Sequence, residues 1–561
     1  MKYSLSKTYR TSILSSSLLI LCACGGGGAT SPETPFSNST TNTTSTTTTE
    51  TPSANLPAVD ISKVAKADPG SPLASNWQQG VFMEIYVRGY KDSNGDGIGD
   101  LQGVIQSLDY LQELGIKGLW LMPISKSEDR DHGYAVKDYR DIESDYGALS
   151  DLDELLKQAH ARGMGVILDY VMNHSASTHP LFVNAADTKS NAYRSWYVWN
   201  DVAPTGWNIF GGNPWNNTKN GAYFAAFYSG MPDFNLRNPD AVEFHQNNLR
   251  FWLNRGVDGF RFDAVGNLIE NGAGAWESQP ESVALMGKVR ENITQYDKRM
   301  LVCEAPGNPL AYAAANSCGN AFGFGHNYDI VKAAKGQTSA IRTVADYFNA
   351  NTGGISTMVS NHDEFAGARL WDQVGGDLAQ YKLAAATYLL QPGTPYIYYG
   401  EEIGMGGANN LSGDHKLRTP MSWTSHSSNA GFTSGTPFRA LSANVTSNNV
   451  LTQKADSNSL YHFYKALIKL RNQRNSLKAG DYSNIIVSGN ILSFQRQSGT
   501  EKTLVALNYG NAPGDLNLSG LTANGAAIAL YPATANALTI DGNGQAKLTL
   551  TAQQILVFDL K

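Results

Sequence analysis

From residue 81 onward, short apolar runs rich in β-branched and aromatic residues alternate with stretches whose apolar positions recur at helical spacing. The runs predict strands at 81–88, 118–122, 165–170, 259–263, 301–304, 355–360 and 395–399, with a weaker one near 321–327. Helical stretches at 152–162, 240–255 and 381–390 fall between them. Such alternation predicts an α/β fold with a parallel sheet closed as a (β/α)8 TIM barrel, its chemistry at the C-terminal strand ends. An open doubly wound sheet would be supported by a GxGxxG turn or a phosphate loop after an early strand, and neither is present. Two regions break the rhythm. Residues 175–235 are rich in Trp, Asn, Gly and Pro without helical period, and read as a domain inserted after the third strand. The barrel parts are then 77–174 and 236–477, and the short alternating runs of 478–561 predict a C-terminal β-sandwich.

The N-terminus follows a different pattern. Lys2, Lys7 and Arg10 precede an apolar run at 13–21, followed by Leu21-Cys22-Ala23-Cys24. A basic region, a short apolar core and a small residue before a cut site describe a secretory signal over 1–23. The tetrapeptide resembles a bacterial lipobox. That resemblance implies acylation of Cys24 and a lipid anchor on a membrane surface, outside the cytoplasm. Gly25 in place of an Asp points to the outer membrane where the host has one. The Gly run 25–28 and the Ser/Thr/Asn run 37–49 offer almost nothing to bury, so 24–76 reads as a flexible tether.

Composition narrows the function. Hydrophobic residues at 42% and charged residues at 16% suit buried cores. A net charge of −6 without a Lys/Arg cluster argues against nucleic acid as a partner. No apolar run reaches the roughly 18 residues of a spanning helix, which excludes a multi-pass membrane protein. Two of the four cysteines belong to the export signal. The other two, Cys303 and Cys318, are compatible either with a bridge beside Glu304 or with buried free thiols.

The candidate chemistry sits where the strands end. The third strand runs into Asp169-Tyr170-Val171-Met172-Asn173-His174, and the fourth reads Gly259-Phe260-Arg261-Phe262-Asp263-Ala264. The fifth ends in Val302-Cys303-Glu304 and the seventh in Ser360-Asn361-His362-Asp363. Strand alternation puts Arg261 and Asp263 on one face, where the guanidinium favours an ionised carboxylate. Three carboxylates and two histidines at one end of different strands are hard to explain as isolated structural ion pairs. A zinc site is disfavoured by the absence of HExxH or HxH.

These segments, in this order, resemble the conserved regions of glycoside hydrolase family 13, the α-amylase family. His132-Gly133-Tyr134, Met231-Pro232-Asp233-Phe234-Asn235, Tyr398-Tyr399-Gly400-Glu401-Glu402 and Arg418-Thr419-Pro420-Met421 extend the match. The resemblance implies a retaining glycosidase with Asp263 as nucleophile, Glu304 as acid/base and Asp363 fixing the distorted sugar. Arg261, His174, His362 and Tyr134 would surround the reacting glucose. The loop Asp92-Ser93-Asn94-Gly95-Asp96-Gly97-Ile98-Gly99-Asp100 places oxygen side chains at alternate positions, half of an EF-hand pattern. A similar loop binds structural Ca2+ in family members, implying Asp92, Asn94, Asp96, Asp100 and the Ile98 carbonyl as ligands.

The substrate implied is an α-glucan or malto-oligosaccharide. Ala264 follows the nucleophile, where family members acting on α-1,6 bonds tend to carry Val, which favours α-1,4 cleavage. The Met231–Asn235 segment resembles the group between oligo-1,6-glucosidases and neopullulanases, which cleave starch-like chains and malto-oligosaccharides. Asp131 and Arg418, by contrast, match positions that close the pocket in α-glucosidase-like members. The balance favours an α-amylase-type hydrolase, with an exo-acting α-glucosidase or transglycosylase as the alternative. A non-catalytic glucan-binding lipoprotein is disfavoured because all three carboxylates are present.

Overall fold

The computed structural model describes residues 59–350 and 354–561. Cys24, the glycine run and the Ser/Thr run lie outside the described residues. Eight parallel strands close into a barrel: β1 (Phe82–Ile85), β2 (Gly118–Leu121), β3 (Gly165–Tyr170), β4 (Gly259–Phe262), β5 (Met300–Cys303), β6 (Ala321–Phe322), β7 (Ile355–Thr357) and β8 (Thr394–Tyr398). Each strand pairs with the next in sequence, and β8 closes on β1 through Phe82 opposite Tyr396. These strands are continuous apolar runs because helices cover the outer face while side chains fill the lumen. β6 is only two residues long, since the helix His326–Ala334 begins soon after it.

The barrel floor is apolar. Phe82, Trp120, Ile167, Val302, Phe322, Met358 and Tyr396 fill the lumen, with Trp77 beneath them. Gly118 and Gly165 make room for this plug: a Cβ would lie 2.1 Å from the Phe82 ring at the first and 2.3 Å from the Trp77 ring at the second. The outer helices are set by ordinary signals. Pro239–Asn254 starts with a proline in its first turn and an Asn238 cap on the Asp240 N–H, and Leu378–Leu390 is capped by Asp377.

Three additions decorate the barrel. After β2, an antiparallel pair (Ser125–Ser127 with Val136–Ile142) frames a loop carrying Asp131 and Tyr134; the apolar pattern had not suggested it. After β3, the expected insertion forms a three-stranded sheet of Trp199–Asn200, Gly221–Phe224 and Trp215–Thr218. It returns to the barrel through bridges pairing His174 with Asp233 and Tyr197 with Phe234. At the C-terminus a six-stranded antiparallel sheet faces a two-stranded one, with Leu504, Ala506 and Phe558 packed against Leu516, Leu548 and Leu550. This is the expected sandwich.

The expectation of a flexible tether over the whole of 24–76 needs correction at its C-terminal end. Residues 59–76 lie along the barrel: the Val64 N–H donates to Asn247 (2.8 Å), while Arg140, Arg299 and Lys298 donate to the carbonyls of Ser62, Gly70 and Leu73. The segment carries few apolar side chains, so its composition reads as tether. It is held instead by backbone carbonyls that satisfy cationic donors, two of them (Arg140 and Arg299) buried.

Cys303, the last residue of β5, is joined to Cys318 by a disulfide across 15 positions. A loop of this length contributes about 3 kcal/mol. Replacing Cys318 by Ser should lower stability to chemical denaturation by about that amount, and an unchanged denaturation midpoint would remove the bridge from the fold's supports.

Candidate active site

The polar ceiling of the lumen is built by register. Asp169 on β3 is paired with Arg261 on β4, and Glu84 on β1 with Trp120 on β2, so their side chains share neighbouring interior layers. Asp263 and Glu304 follow immediately after β4 and β5. Asp363 comes from the loop after β7.

Arg261 organises this ceiling. One terminal nitrogen, Nη1, lies 2.8 Å from Asp169 Oδ1 and 2.8 Å from Asp263 Oδ1, while Nη2 lies 2.8 Å from Glu304 Oε2. The guanidinium is wholly buried. Glu304 Oε2 also accepts the Ala264 N–H at 3.0 Å, so Asp263 and Glu304 are gathered on the two terminal nitrogens of one guanidinium. Two carboxyls on the terminal nitrogens of one guanidinium are held close together, as the roughly 5–5.5 Å separation of retaining glycosidases requires.

A second ion-pair chain closes the ceiling. His362 bridges two acids, with Nδ1 at 2.5 Å from Glu84 Oε1 and Nε2 at 3.0 Å from Asp363 Oδ2. Arg418 reaches the other Asp363 oxygen at 2.7 Å. Tyr134 donates to Asp169 at 2.9 Å, meets His362 Nε2 at 2.7 Å and lies nearly parallel to the imidazole. His174 is buried, with its Nε2 lacking any hydrogen-bond partner. An unsatisfied ring nitrogen at that depth carries a desolvation penalty that a sugar hydroxyl would relieve.

The charges do not balance. Four buried carboxyls (Glu84, Asp169, Asp263, Glu304) and the half-buried Asp363 face three cations (Arg261, His362, Arg418). The site resolves the excess by retaining protons. Burial pushes Glu304 up to about 7 against the pull of Arg261, and Asp263 up to about 6. Asp363 behaves oppositely: burial opposes its ionisation, but His362 and Arg418 outweigh it and hold the carboxyl well below the usual range. Burial alone would depress His362, yet Asp363 and Glu84 raise it to about 10, so it is a cation. Burial drives His174 down to about 3, so it is neutral.

All nine residues expected at the sugar and catalytic positions lie on this side of the barrel. Asp131 is held by Arg439 (2.7 Å), the Tyr86 hydroxyl (2.6 Å) and His415 (3.4 Å), while Arg418 serves Asp363 and Asp414. Glu84, Asp169 and Arg439 were not singled out from the sequence. A lone Glu in the apolar run 81–88, at the inward parity of Phe82, was a usable signal for the first. Nothing local marks Arg439.

In the calcium-type loop, the three Asp carboxylates contact neutral donors. Asp92 accepts from the N–H groups of Asn94, Gly95 and Gly97 and from the Thr433 hydroxyl; Asp96 accepts from Ile98 N–H; Asp100 accepts from Ser93 and Gly103. Among the described residues no three His, Cys, Asp or Glu side chains gather as a metal-holding group. An ion here would therefore depend on the Asn94 amide oxygen and the Ile98 carbonyl as well as the carboxylates. Hard oxygen donors on a loop whose carboxylates have no ion-pair partner among the described residues fit calcium chemistry.

A closed parallel barrel with two close carboxyls after adjacent strands and a third opposite them belongs to the glycoside hydrolase class of TIM barrels. The chain is a member of the α-amylase family: the model described as alpha amylase, catalytic domain, matches residues 84–480. It is 32% identical over 509 residues to an oligo-1,6-glucosidase of Parageobacillus thermoglucosidasius, covering 77% of this chain and 90% of that one. It is 33% identical over 464 residues to a protein named alpha-amylase 3 of Dictyoglomus thermophilum, covering 79% and 87%. Among solved structures, the trehalose-6-phosphate hydrolase of Bacillus licheniformis superimposes with a TM-score of 0.75 at 26% identity, over 86% of this chain and 99% of that one.

Two carboxyls poised this way give a bell-shaped pH dependence. Activity should fall below about 6 as Asp263 takes up a proton, and above about 7 as Glu304 loses its own. Glu304→Gln should lower kcat by about 10²-fold or more on an unactivated sugar and abolish the alkaline limb. An unaltered profile in that variant, read from kcat/KM against pH, would move the acid role elsewhere.

Proposed function

We propose that this protein is a retaining, exo-acting α-glucosidase that removes glucose from the non-reducing end of α-1,4-linked malto-oligosaccharides. Asp263 attacks the anomeric carbon while Glu304 donates its proton to the departing glycosidic oxygen, leaving a glucosyl ester on Asp263. Glu304, now a carboxylate, takes a proton from water; the hydroxide attacks the same carbon and frees glucose with its configuration retained. Asp363, fixed by His362 and Arg418, accepts hydroxyls of the distorted ring, and Tyr134 supports its face.

The observation that carries exo-action is the charged block beside Asp363. On the loops after β2 and β8, Asp131 pairs with Arg439 at 2.7 Å and lies 3.4 Å from His415, while Arg418 pairs with Asp414 at 3.1 Å and with Asp363 at 2.7 Å. An Arg439 N–H donated to the Arg418 carbonyl at 3.1 Å joins the two groups. A glucan threaded past the reacting sugar would have to break several of these contacts, whereas a terminal glucose can be held by them. Sequence motifs alone weighted the reading toward endo-attack on starch. This block, together with relatives named oligo-1,6-glucosidase and alpha-glucosidase, shifts the weight to the exo alternative. One relative named alpha-amylase keeps the first reading alive as an outcome of the test. Ala264 remains the reason for preferring α-1,4 linkages.

Early products from maltoheptaose decide the matter. Glucose and maltohexaose as the first pair support exo-action; mixed mid-length oligosaccharides from the outset would restore the endo reading. Faster cleavage of isomaltose than of maltose would transfer the enzyme to α-1,6 bonds.

We also propose that the loop 92–100 holds a structural calcium ion, using the side chains of Asp92, Asn94, Asp96 and Asp100 and the Ile98 carbonyl. Calcium would supply charge neutralisation there and no step of the reaction. Its removal by a chelator should lower Tm by about 5 °C or more, reversed by Ca2+ and absent in Asp96→Ala. A Tm indifferent to chelator would leave the loop as a hydrogen-bonded turn.

A further inference from the structure

Large apolar side chains on a soluble surface are unremarkable singly and informative in rows. One row leads out of the candidate site. The His174 ring lies 5.3 Å from the Phe227 ring, Phe227 lies 5.7 Å from Phe210 in a near-parallel stack (25°), and Phe210 lies 5.6 Å from Trp276 at a steep angle (76°). Phe210 is 67% exposed and Phe227 38% exposed. Trp276 packs at its other side against the small core of the insertion around Ile209, Phe224 and Ala226, which gives the row a rigid base.

Two observations argue that this is a built surface. Phe210 adopts a left-handed backbone conformation (φ 49°) that a bulky residue normally avoids, inside a tight Ile209–Gly212 bridge. That conformation sets the phenyl ring against Phe227 and Trp276 while leaving it 67% exposed, so the strained turn displays the ring instead of burying it. The row is also continuous with the buried His174, whose Nε2 has no protein partner.

Its position around the barrel fixes its direction. The charged block comes from loops after β7, β8 and β2. The aromatic row comes from the insertion after β3 and the loop after β4, and Glu277, next to Trp276, touches the loop after β5: a Cβ on Gly307 would fall 2.3 Å from Glu277 Oε1. The row therefore lies on the Glu304 side, opposite the closed end. Glu304 protonates the oxygen that joins the reacting glucose to its leaving group, so what lies beyond Glu304 is the leaving saccharide.

From this we infer that Phe227, Phe210 and Trp276 form a stacking platform for the glucosyl units of the leaving saccharide, Phe227 under the first and the Phe210–Trp276 pair under the second. Pyranose rings present C–H faces that pack on aromatic rings, and three rings in sequence suit a short chain better than a single sugar. The platform makes the enzyme favour oligosaccharides over disaccharides. It rests on the glucosidase reading above, and adds to it the residues that select chain length.

The test compares wild type, Phe210→Ala and Phe210→Trp on maltose and maltotetraose. Phe210 is exposed, so its truncation leaves the fold intact; an unchanged circular dichroism spectrum and Tm verify this. Phe210→Ala should lower the ratio of kcat/KM for maltotetraose to that for maltose by about fivefold or more, and Phe210→Trp should restore it. A ratio within about twofold of wild type overturns the platform. A binding arm separates this failure from failure of the glucosidase reading. In an Asp263→Asn background, maltotetraose titrated by calorimetry should bind more weakly when Phe210 is Ala. If wild type hydrolyses neither sugar, the glucosidase reading fails while this arm still decides the platform. Equal affinity with and without the Phe210 ring, or no binding at all, overturns it.

Discussion

A single buried guanidinium holds this structure and its chemistry together. Arg261 sits inside the barrel with no solvent to screen it, and three carboxylates from three consecutive strands converge on it. A charge in that position is tolerable only when paired, and removing a partner from a buried ion pair costs about 3–5 kcal/mol. The arrangement thus ties the tops of β3, β4 and β5 together. It also sets the proton inventory. One arginine cannot keep three close acids ionised, so burial leaves Glu304 holding a proton near neutrality while Asp263, which accepts a hydrogen bond from the guanidinium, gives its own up first. The acid and the nucleophile are distinguished by where they sit on one cation.

The rest of the barrel can be understood as support for that cation. Its lower lumen is a plug of aromatic and aliphatic side chains, and Trp120 spans the two halves, packing on Phe322 below while its indole N–H reaches Asp169 at 3.2 Å above. His362 repeats the logic of Arg261 on the other wall, bridging Glu84 and Asp363. Two cation-centred clusters therefore face each other across the position of the sugar, joined by Tyr134, which bonds to both.

Most of this was legible where chemistry and local pattern coincide. Asp263, Glu304 and Asp363 each follow an apolar strand, which places a carboxylate at a predictable end of the barrel, and Arg261 shares strand parity with Asp263. The insertion and the sandwich were visible as breaks in periodicity. What escaped was held together by contacts between distant parts of the chain. Residues 59–76 look like linker because they bind through backbone carbonyls, which leave no mark on composition. The strand pair after β2 is short and half polar, so alternation there resembles a loop. In sequence, Cys303 and Cys318 are equally compatible with a bridge and with free thiols, because the bridge depends on the loop between them returning to β5, where Ala321 pairs with Cys303.

Arg439 shows most clearly why specificity is harder to read than catalysis. It meets Asp131 across 308 positions, and neither residue lies in a strand. They become neighbours because closure of the barrel sets β8 beside β1 and β1 beside β2, bringing the first and last loops to the same rim. The catalytic groups are placed by strand register, which a sequence encodes within a few residues. The groups that decide whether a chain can pass are placed by closure, which is a property of all eight strands together. That is why one barrel can keep an unvarying acid and nucleophile while its rim is rebuilt for ends or interiors of a glucan, and why here the rim carries the argument for exo-action.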